Sequence, residues 1–288
     1  MKMNIYGLCL QLLATDRSAH DVNSGSRPNF HTVLQRVGKT VLRPGGTQGT
    51  KKLHSWCELG PDGTAIELSS GMGRGGVALA KSTGAHVTLT DIDADRLALV
   101  SQIACEQGVD LGLLDTMQLN LRNVDKELDD RHFDTAICEA SLSHFPTKEK
   151  GAILEGLSKH ADELLLHEIC FRRNDVSPDE LQRIKLDMSR SLAIGFHPLT
   201  IEGWTKLLDE SGYEVKQIES GPIHLLNPAA IFQDEGPMRA AKIAWNIATN
   251  EDTRSRVLAT RRTLKSHEND LGYILIQAFS TKSLGRHF

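Results

Sequence analysis

The 288-residue chain has little that would mark a secreted, membrane-bound or metal-dependent protein. Its five cysteines, Cys9, Cys57, Cys105, Cys138 and Cys170, are odd in number, widely spread and form no C-x-x-C pair. That argues against a disulfide framework and a thiolate zinc site, and for a reducing cytoplasm. His-x-x-x-His spacing is also absent, so no metal is expected. No apolar run approaches the roughly 20 residues that cross a bilayer. The opening MKMNIYGLCLQLLATD is broken by Asn4 and Gln11 and lacks an A-x-A cleavage site, so it reads as a first helix rather than a signal peptide. There is no fixed-period repeat or low-complexity tract. A net charge of -4 gives no general attraction to nucleic acid, and neither nucleic acid nor membrane is an expected partner.

What remains is an ordinary globular composition, 40% hydrophobic and 24% charged, arranged in alternating strand and helix patterns. Strands are expected at 64–68, 86–90, 111–114, 133–138 and 163–169, then at 213–218 and 273–279. Helices are expected between them, with Asp93–Gly108 as one. The pattern predicts an α/β fold, a doubly wound and mostly parallel seven-stranded sheet. Residues 1–60 form an N-terminal helical cover containing the turn Leu42-Arg43-Pro44-Gly45-Gly46-Thr47 and a helix over Lys51–Glu58. Residues 61–288 form the main domain, with lid insertions at about 171–212 and 225–268. Ser177 followed by Pro178 opens a helix in the first insertion, and Asn250 interrupts the helical pattern of the second.

The stretch Ile66-Glu67-Leu68-Ser69-Ser70-Gly71-Met72-Gly73-Arg74-Gly75-Gly76 fits the dinucleotide pattern G-x-G-x-x-G at Gly71, Gly73 and Gly76. Asp91 stands at the tip of the second strand, where an acid bridges a ribose diol. NAD and S-adenosylmethionine (SAM) share that ribose, so Glu67 is the discriminating residue. A carboxylate beside the loop repels a pyrophosphate and attracts the ammonium and sulfonium of SAM. The bland reading of Asp91 is a helix N-cap, which Asp93 could equally supply.

These residues resemble the class I SAM-dependent methyltransferases, whose first motif runs acidic-x-Gly-x-Gly-x-Gly and appears here as Glu67 to Gly73 with Ser69 in place of the first glycine. The resemblance implies SAM as cofactor and S-adenosylhomocysteine (SAH) as product. It implies a cofactor site of Glu67, Ser69, Gly71, Gly73, Asp91 and Ile92, joined by Asp115, Thr116 and Met117 at the adenine and by Glu139. Phe133–Cys138 is similar to the family's fourth strand and Glu139–His144 (EASLSH) to the loop facing the methyl group. LRPGGT resembles a segment that precedes the core in some uncharacterised bacterial members.

A small-molecule acceptor is expected, methylated by in-line displacement in a pocket lined by Glu139, Ser141, His144, His167, Glu168 and His197. His144 and His167 are the catalytic candidates, because an imidazole titrates near neutral pH, although a lone histidine is more often structural. The loop lacks the Asn/Asp-Pro-Pro-aromatic pattern of adenine methylation, and the chain has no Pro-Cys at strand four for a cytosine adduct. The alternatives are an NAD(P)-dependent oxidoreductase and a catalytically inactive SAM-fold binding protein. Arg254, Arg256, Arg261, Arg262 and Lys265 read as a solvated helix face. Oligomeric state, a homodimer included, is left open.

Overall fold

Five short apolar runs become the parallel part of one sheet: β1 Thr64–Leu68, β2 His86–Asp91, β3 Leu114–Gln118, β4 Phe133–Glu139 and β5 Ala161–Phe171. The computed structural model describes residues 28–173, 175–223 and 225–282, so the expected first helix lies outside the described residues. β6 Leu199–Thr200 is a two-residue strand beside the end of β5, and β7 Tyr213–Pro222 and β8 Leu271–Ser280 complete the sheet. The order is β3-β2-β1-β4-β5-β8-β7, with β8 antiparallel to both β5 and β7. The seven-stranded sheet is thus present, with β6 as a short addition. β1, β2, β4 and β5 are buried along nearly their whole length, as strands covered on both faces are.

Alternation along these strands assigns each residue a face. Ile66, Leu68, Ala136, Cys138, Leu164 and Leu166 enter one core layer with Trp204 and Leu208 of the helix Ile201–Glu210. Ala65, Ile137 and Leu165 enter the other, with Val77 and Ala80 of the helix Arg74–Thr83. Continuing the second face to the strand ends places Glu67, Glu139 and His167 on it, where Glu139 pairs with His167 in register. Three polar residues therefore meet at the carboxyl edge because of a period of two.

A third cluster joins the cover to both insertions. Phe30, Val33 and Leu34 of the helix Phe30–Arg36 pack with Ile184 and Met188 of the helix Pro178–Leu192, and with Leu226 and Val257. The second insertion comprises Pro228–Thr249 and Glu251–Ser266, with Asn250 capping the latter through Thr253 N–H. The former is broken at Gly236, whose φ is 75°. On the latter, Arg254, Arg261, Arg262 and Lys265 are exposed, as a solvated face requires, whereas Arg256, expected with them, is half-buried with Nε and Nη2 covered.

Two helices differ from the sequence pattern. The expected Asp93–Gly108 helix splits into Ala94–Leu97 and Val100–Gln107. The cover's second helix starts early, at Gly46–His54, because Asp234 of the distant insertion accepts from Thr47 N–H and Oγ1–H, both at 2.8 Å, and so caps it from outside.

Candidate functional site

Strand order reverses between β1 and β4, and a ligand crevice is expected outside their carboxyl ends. Each strand is followed at once by a left-handed residue, Ser69 at φ 53° and Ala140 at φ 57°, where the chain turns into the loop. A left-handed non-glycine costs about 1–2 kcal/mol. Ser69 thus keeps the backbone that the missing glycine of the motif would have adopted. Between the loops lies a cleft of about 310 Å3, with Glu67, Ser69, Ser70, Gly71, Met72, Arg74, Asp91, Ile92 and Arg96 along one wall. The opposite wall holds Glu139, Ala140, Ser141, His144 and Phe145. The cover contributes His31, Gln35, Thr40, Leu42 and Arg43, and the first insertion Ile194.

Asp91 is 6% exposed at the tip of β2, accepting from Gly71 N–H at 2.9 Å and Asp93 N–H at 3.0 Å. Asp93 is the cap of the next helix, accepting from Asp95 and Arg96, so Asp91 is not needed in that role. Ile92 beside it is 62% exposed, an apolar surface facing the cleft. Gly71 has open space where a Cβ would stand, whereas a Cβ on Gly73 would meet Leu89 and Val100 at 3.0 Å. The expected cradle is therefore Gly71, and Gly73 is corrected to a packing position that faces the core.

Glu67 is turned inward. Its Oε2 accepts from Gly76 N–H at 2.7 Å and its Oε1 pairs with Arg43 Nη2 at 3.1 Å. The Arg43 Nε also pairs with Glu139 Oε1 at 2.9 Å, so one guanidinium joins the ends of β1 and β4. Gly75 and Gly76 exist for this junction: a Cβ at Gly75 would stand 2.5 Å from both Arg43 and Glu67. Burial raises Glu67 to about 7 against the pull of Arg43. Burial also opposes ionisation of Glu139, yet Arg43 and the hydrogen bond from His167 hold it well below the usual carboxylate range.

Arg43 belongs to LRPGGT, which lies as a strap across the sheet edge. Gly45 N–H donates to His167 Nε2 at 2.9 Å, and Thr50 Oγ1–H to Glu139 Oε2 at 2.6 Å. A Cβ on Gly45 or Gly49 would come within 2.8 Å of the His167 ring. Since His167 Nε2 accepts, its proton sits on Nδ1, which donates to Glu139 Oε2 at 2.7 Å. His167 is fully buried with both nitrogens engaged and does not line the cleft. The expectation that it is catalytic is corrected on that geometry: it seats the strap.

Glu168, expected in the pocket, is also fully buried beneath the loop after β4. Its carboxylate accepts from the backbone N–H groups of Ser141, Leu142 and Ser143 at 2.8, 2.7 and 3.1 Å. From the other side His197 N–H donates to Ser143 O at 2.7 Å, and Lys150 Nζ donates to His197 O. His197 itself holds this loop and does not line the cleft. His144, carried by the loop, does line it. Its Nδ1–H donates to Gly195 O at 2.9 Å, which leaves a lone pair on Nε2. His31 meets it edge to face at 5.0 Å, and burial, His144 and Arg96 push His31 down to about 3.

Asp115, Thr116 and Met117 are not brought to the cleft. They sit in the body of the edge strand β3, where Gln118, not Asp115, is in register with Asp91. The offset is three residues, because the sequence does not mark where β3 begins. Residues the sequence reading missed are His31, Asp234 and Glu235. Their signal is long-range and lies in no motif, although Arg43 and the glycines of LRPGGT pointed at the strap.

Among the described residues, no cluster of histidine, cysteine and acidic side chains could hold a metal, and no helix is long and apolar enough to cross a membrane. Cys57, Cys138 and Cys170 are free thiols.

A family profile described as a methyltransferase domain matches residues 65–163. An uncharacterised protein of Haemophilus influenzae is 31% identical over 250 residues, 85% of this chain and 96% of its own. Among solved structures, a SAM-dependent methyltransferase from Thiobacillus denitrificans, in complex with SAH, superposes with a TM-score of 0.64 at 12% identity, covering 88% of this chain and 99% of that one. One from Geobacter sulfurreducens, also with SAH, gives 0.63 at 15% identity and covers 88% and 99%.

Proposed function

This chain belongs to the class I SAM-dependent methyltransferases, and from that premise we propose that it transfers the methyl group of SAM to a small-molecule acceptor by in-line displacement in the cleft between β1 and β4. The observation that carries the reading is the cradle: Gly71 leaves open space beside the buried Asp91, and two buried polar atoms there, Ser70 Oγ and Arg74 Nε, have no hydrogen-bond partner among the described residues. A cradle that a Cβ would fill and orphaned polar atoms beside it fit a polar ligand. Asp91 would hold the ribose hydroxyls, Ile92 would cover the adenine, and Ser69, Ser70 and Gly71 would pass along the sugar and the amino-acid chain. Once Glu67 is ionised, above about pH 7, Glu67 and Glu139 with one arginine leave the edge net negative, which suits a sulfonium and opposes the pyrophosphate of NAD(P).

SAM supplies a methyl group on a good leaving group, so alignment supplies most of the rate. The chain aligns the acceptor between the cover helix Phe30–Arg36, the strap and Ile194, a roofed space that favours a small molecule over a polymer. His31, Gln35 and Thr40 offer it neutral hydrogen-bonding groups and Leu42, Phe145 and Ile194 an apolar surface. His144, with Nε2 free, takes the proton from an acceptor that arrives protonated. The test is a panel of small acceptors assayed for SAH release. Turnover with a hydroxyl, thiol or amine compound supports the reading, and turnover only with RNA, DNA or protein overturns the acceptor class.

The two loop glycines separate ligand space from packing. Gly71→Ala is expected to weaken SAM binding at least tenfold while costing about 1–2 kcal/mol of stability for its left-handed backbone. Gly73→Ala, pushed against Leu89 and Val100, is expected to lose stability while SAM affinity changes less than threefold. Calorimetric titration and thermal melting of both variants read the difference.

A further inference from the structure

We propose that Arg43 sets the electrostatic preference of the cofactor pocket between SAM and SAH, a reading that rests on the SAM assignment above. Arg43 comes from the strap, outside the first motif, yet its guanidinium stands between the two carboxylates at the cleft, 3.1 Å from Glu67 Oε1 and 2.9 Å from Glu139 Oε1. It is 15% exposed and itself lines the cleft, while both carboxylates are 2% exposed. Gly75 lacks the Cβ that would collide with it. Of the other partners of Glu139, Thr50 is neutral and His167 carries a single proton and adds no charge, because its Nε2 accepts from Gly45.

With Glu67 ionised, which requires a pH above about 7, the edge carries two negative charges and one positive. Methyl transfer turns a cofactor bearing a sulfonium into one bearing a neutral thioether. A site with two uncompensated carboxylates would hold the sulfonium form too well and resist losing its charge during transfer, since only what binds the transition state better than the ground state speeds the reaction. Arg43 cancels half of that attraction. A merely structural strap contact, by contrast, would change affinity for SAM and SAH together.

The test is the ratio of dissociation constants, SAH over SAM, measured by calorimetry between pH 8.5 and 10, because burial raises Glu67 and loss of Arg43 raises it further, and the variants are compared where Glu67 is ionised. Arg43→Met removes the positive charge while filling its stem, and the ratio is expected to rise about tenfold. Glu67→Gln removes a negative charge in nearly the same shape, and the ratio is expected to fall about tenfold. A unit charge within about 10 Å at the effective dielectric of a protein interior is worth that much. Opposite shifts from the two sides of one ion pair support the proposal. Ratios within twofold of wild type in both variants overturn it. If Arg43→Met fails to fold, Arg43→Gln takes its place, with the same rise expected and an unchanged ratio overturning the proposal. Wild-type protein binding neither SAM nor SAH would instead remove the cofactor assignment on which the proposal stands.

Discussion

Replacing Glu235 by alanine is expected to cost about 3–5 kcal/mol of stability, the range seen when one partner of a buried ion pair is deleted. The Glu235 side chain is fully buried and faces that of Lys39, 1% exposed, at 3.7 Å. Its Oε1 accepts from the N–H groups of Thr40 and Val41 at 2.7 and 2.9 Å, and its Oε2 from Thr40 Oγ1–H at 2.7 Å. The variant leaves the buried Lys39 without its ion-pair partner, Asp234 being the carboxylate that still acts on it, and three unpaired donors at the root of the strap. Burial already pulls Lys39 below its ordinary range, and without Glu235 it is pulled lower still. The unfolded state then binds the extra proton, so the loss is greater at pH 6 than at pH 9. Urea unfolding at both values measures it. A loss below 1 kcal/mol at both would mean that the insertion does not anchor the strap.

His144→Gln is expected to lower turnover about 10²–10⁴-fold with a protonated acceptor, the usual contribution of a positioned general base, while SAM affinity stays within about threefold. Its Nδ1–H bond to Gly195 O fixes the tautomer, and Glu168 fixes the loop through three backbone N–H groups. The loss should shrink as pH rises toward the acceptor's own pKa. His167→Gln is the contrasting variant. It disrupts the Gly45 and Glu139 contacts, so it should lower stability and SAM affinity without that pH-dependent rescue. Equal turnover of wild type and His144→Gln across pH would leave alignment as the whole mechanism.

Local patterns carried most of the sheet. Short apolar runs with helical spacing between them marked the parallel strands, and the same alternation that buries Ile137 and Leu165 put Glu139 and His167 on one face. Asp91 was legible because a strand tip after a glycine loop is a local signal. His167 was misread as catalytic because sequence shows its position at a strand end but not the Gly45 N–H that occupies its Nε2. Asp115 was misplaced because β3 is a half-exposed edge strand with little hydrophobic pattern to fix its register. The ties from Asp234 and Glu235 to the strap span nearly two hundred residues, and no periodicity encodes such a contact.

The cleft with Gly71 open and Asp91 buried has the shape and charge of a SAM site. Calorimetric titration of wild-type protein and Asp91→Ala with SAM, SAH and NADH tests it most directly. Wild type is expected to bind SAM and SAH but not NADH, and Asp91→Ala to weaken SAM by about 1–3 kcal/mol, the cost of leaving a ribose hydroxyl without its partner. Binding of NADH in place of SAM, or SAM affinity unchanged in Asp91→Ala, would contradict it.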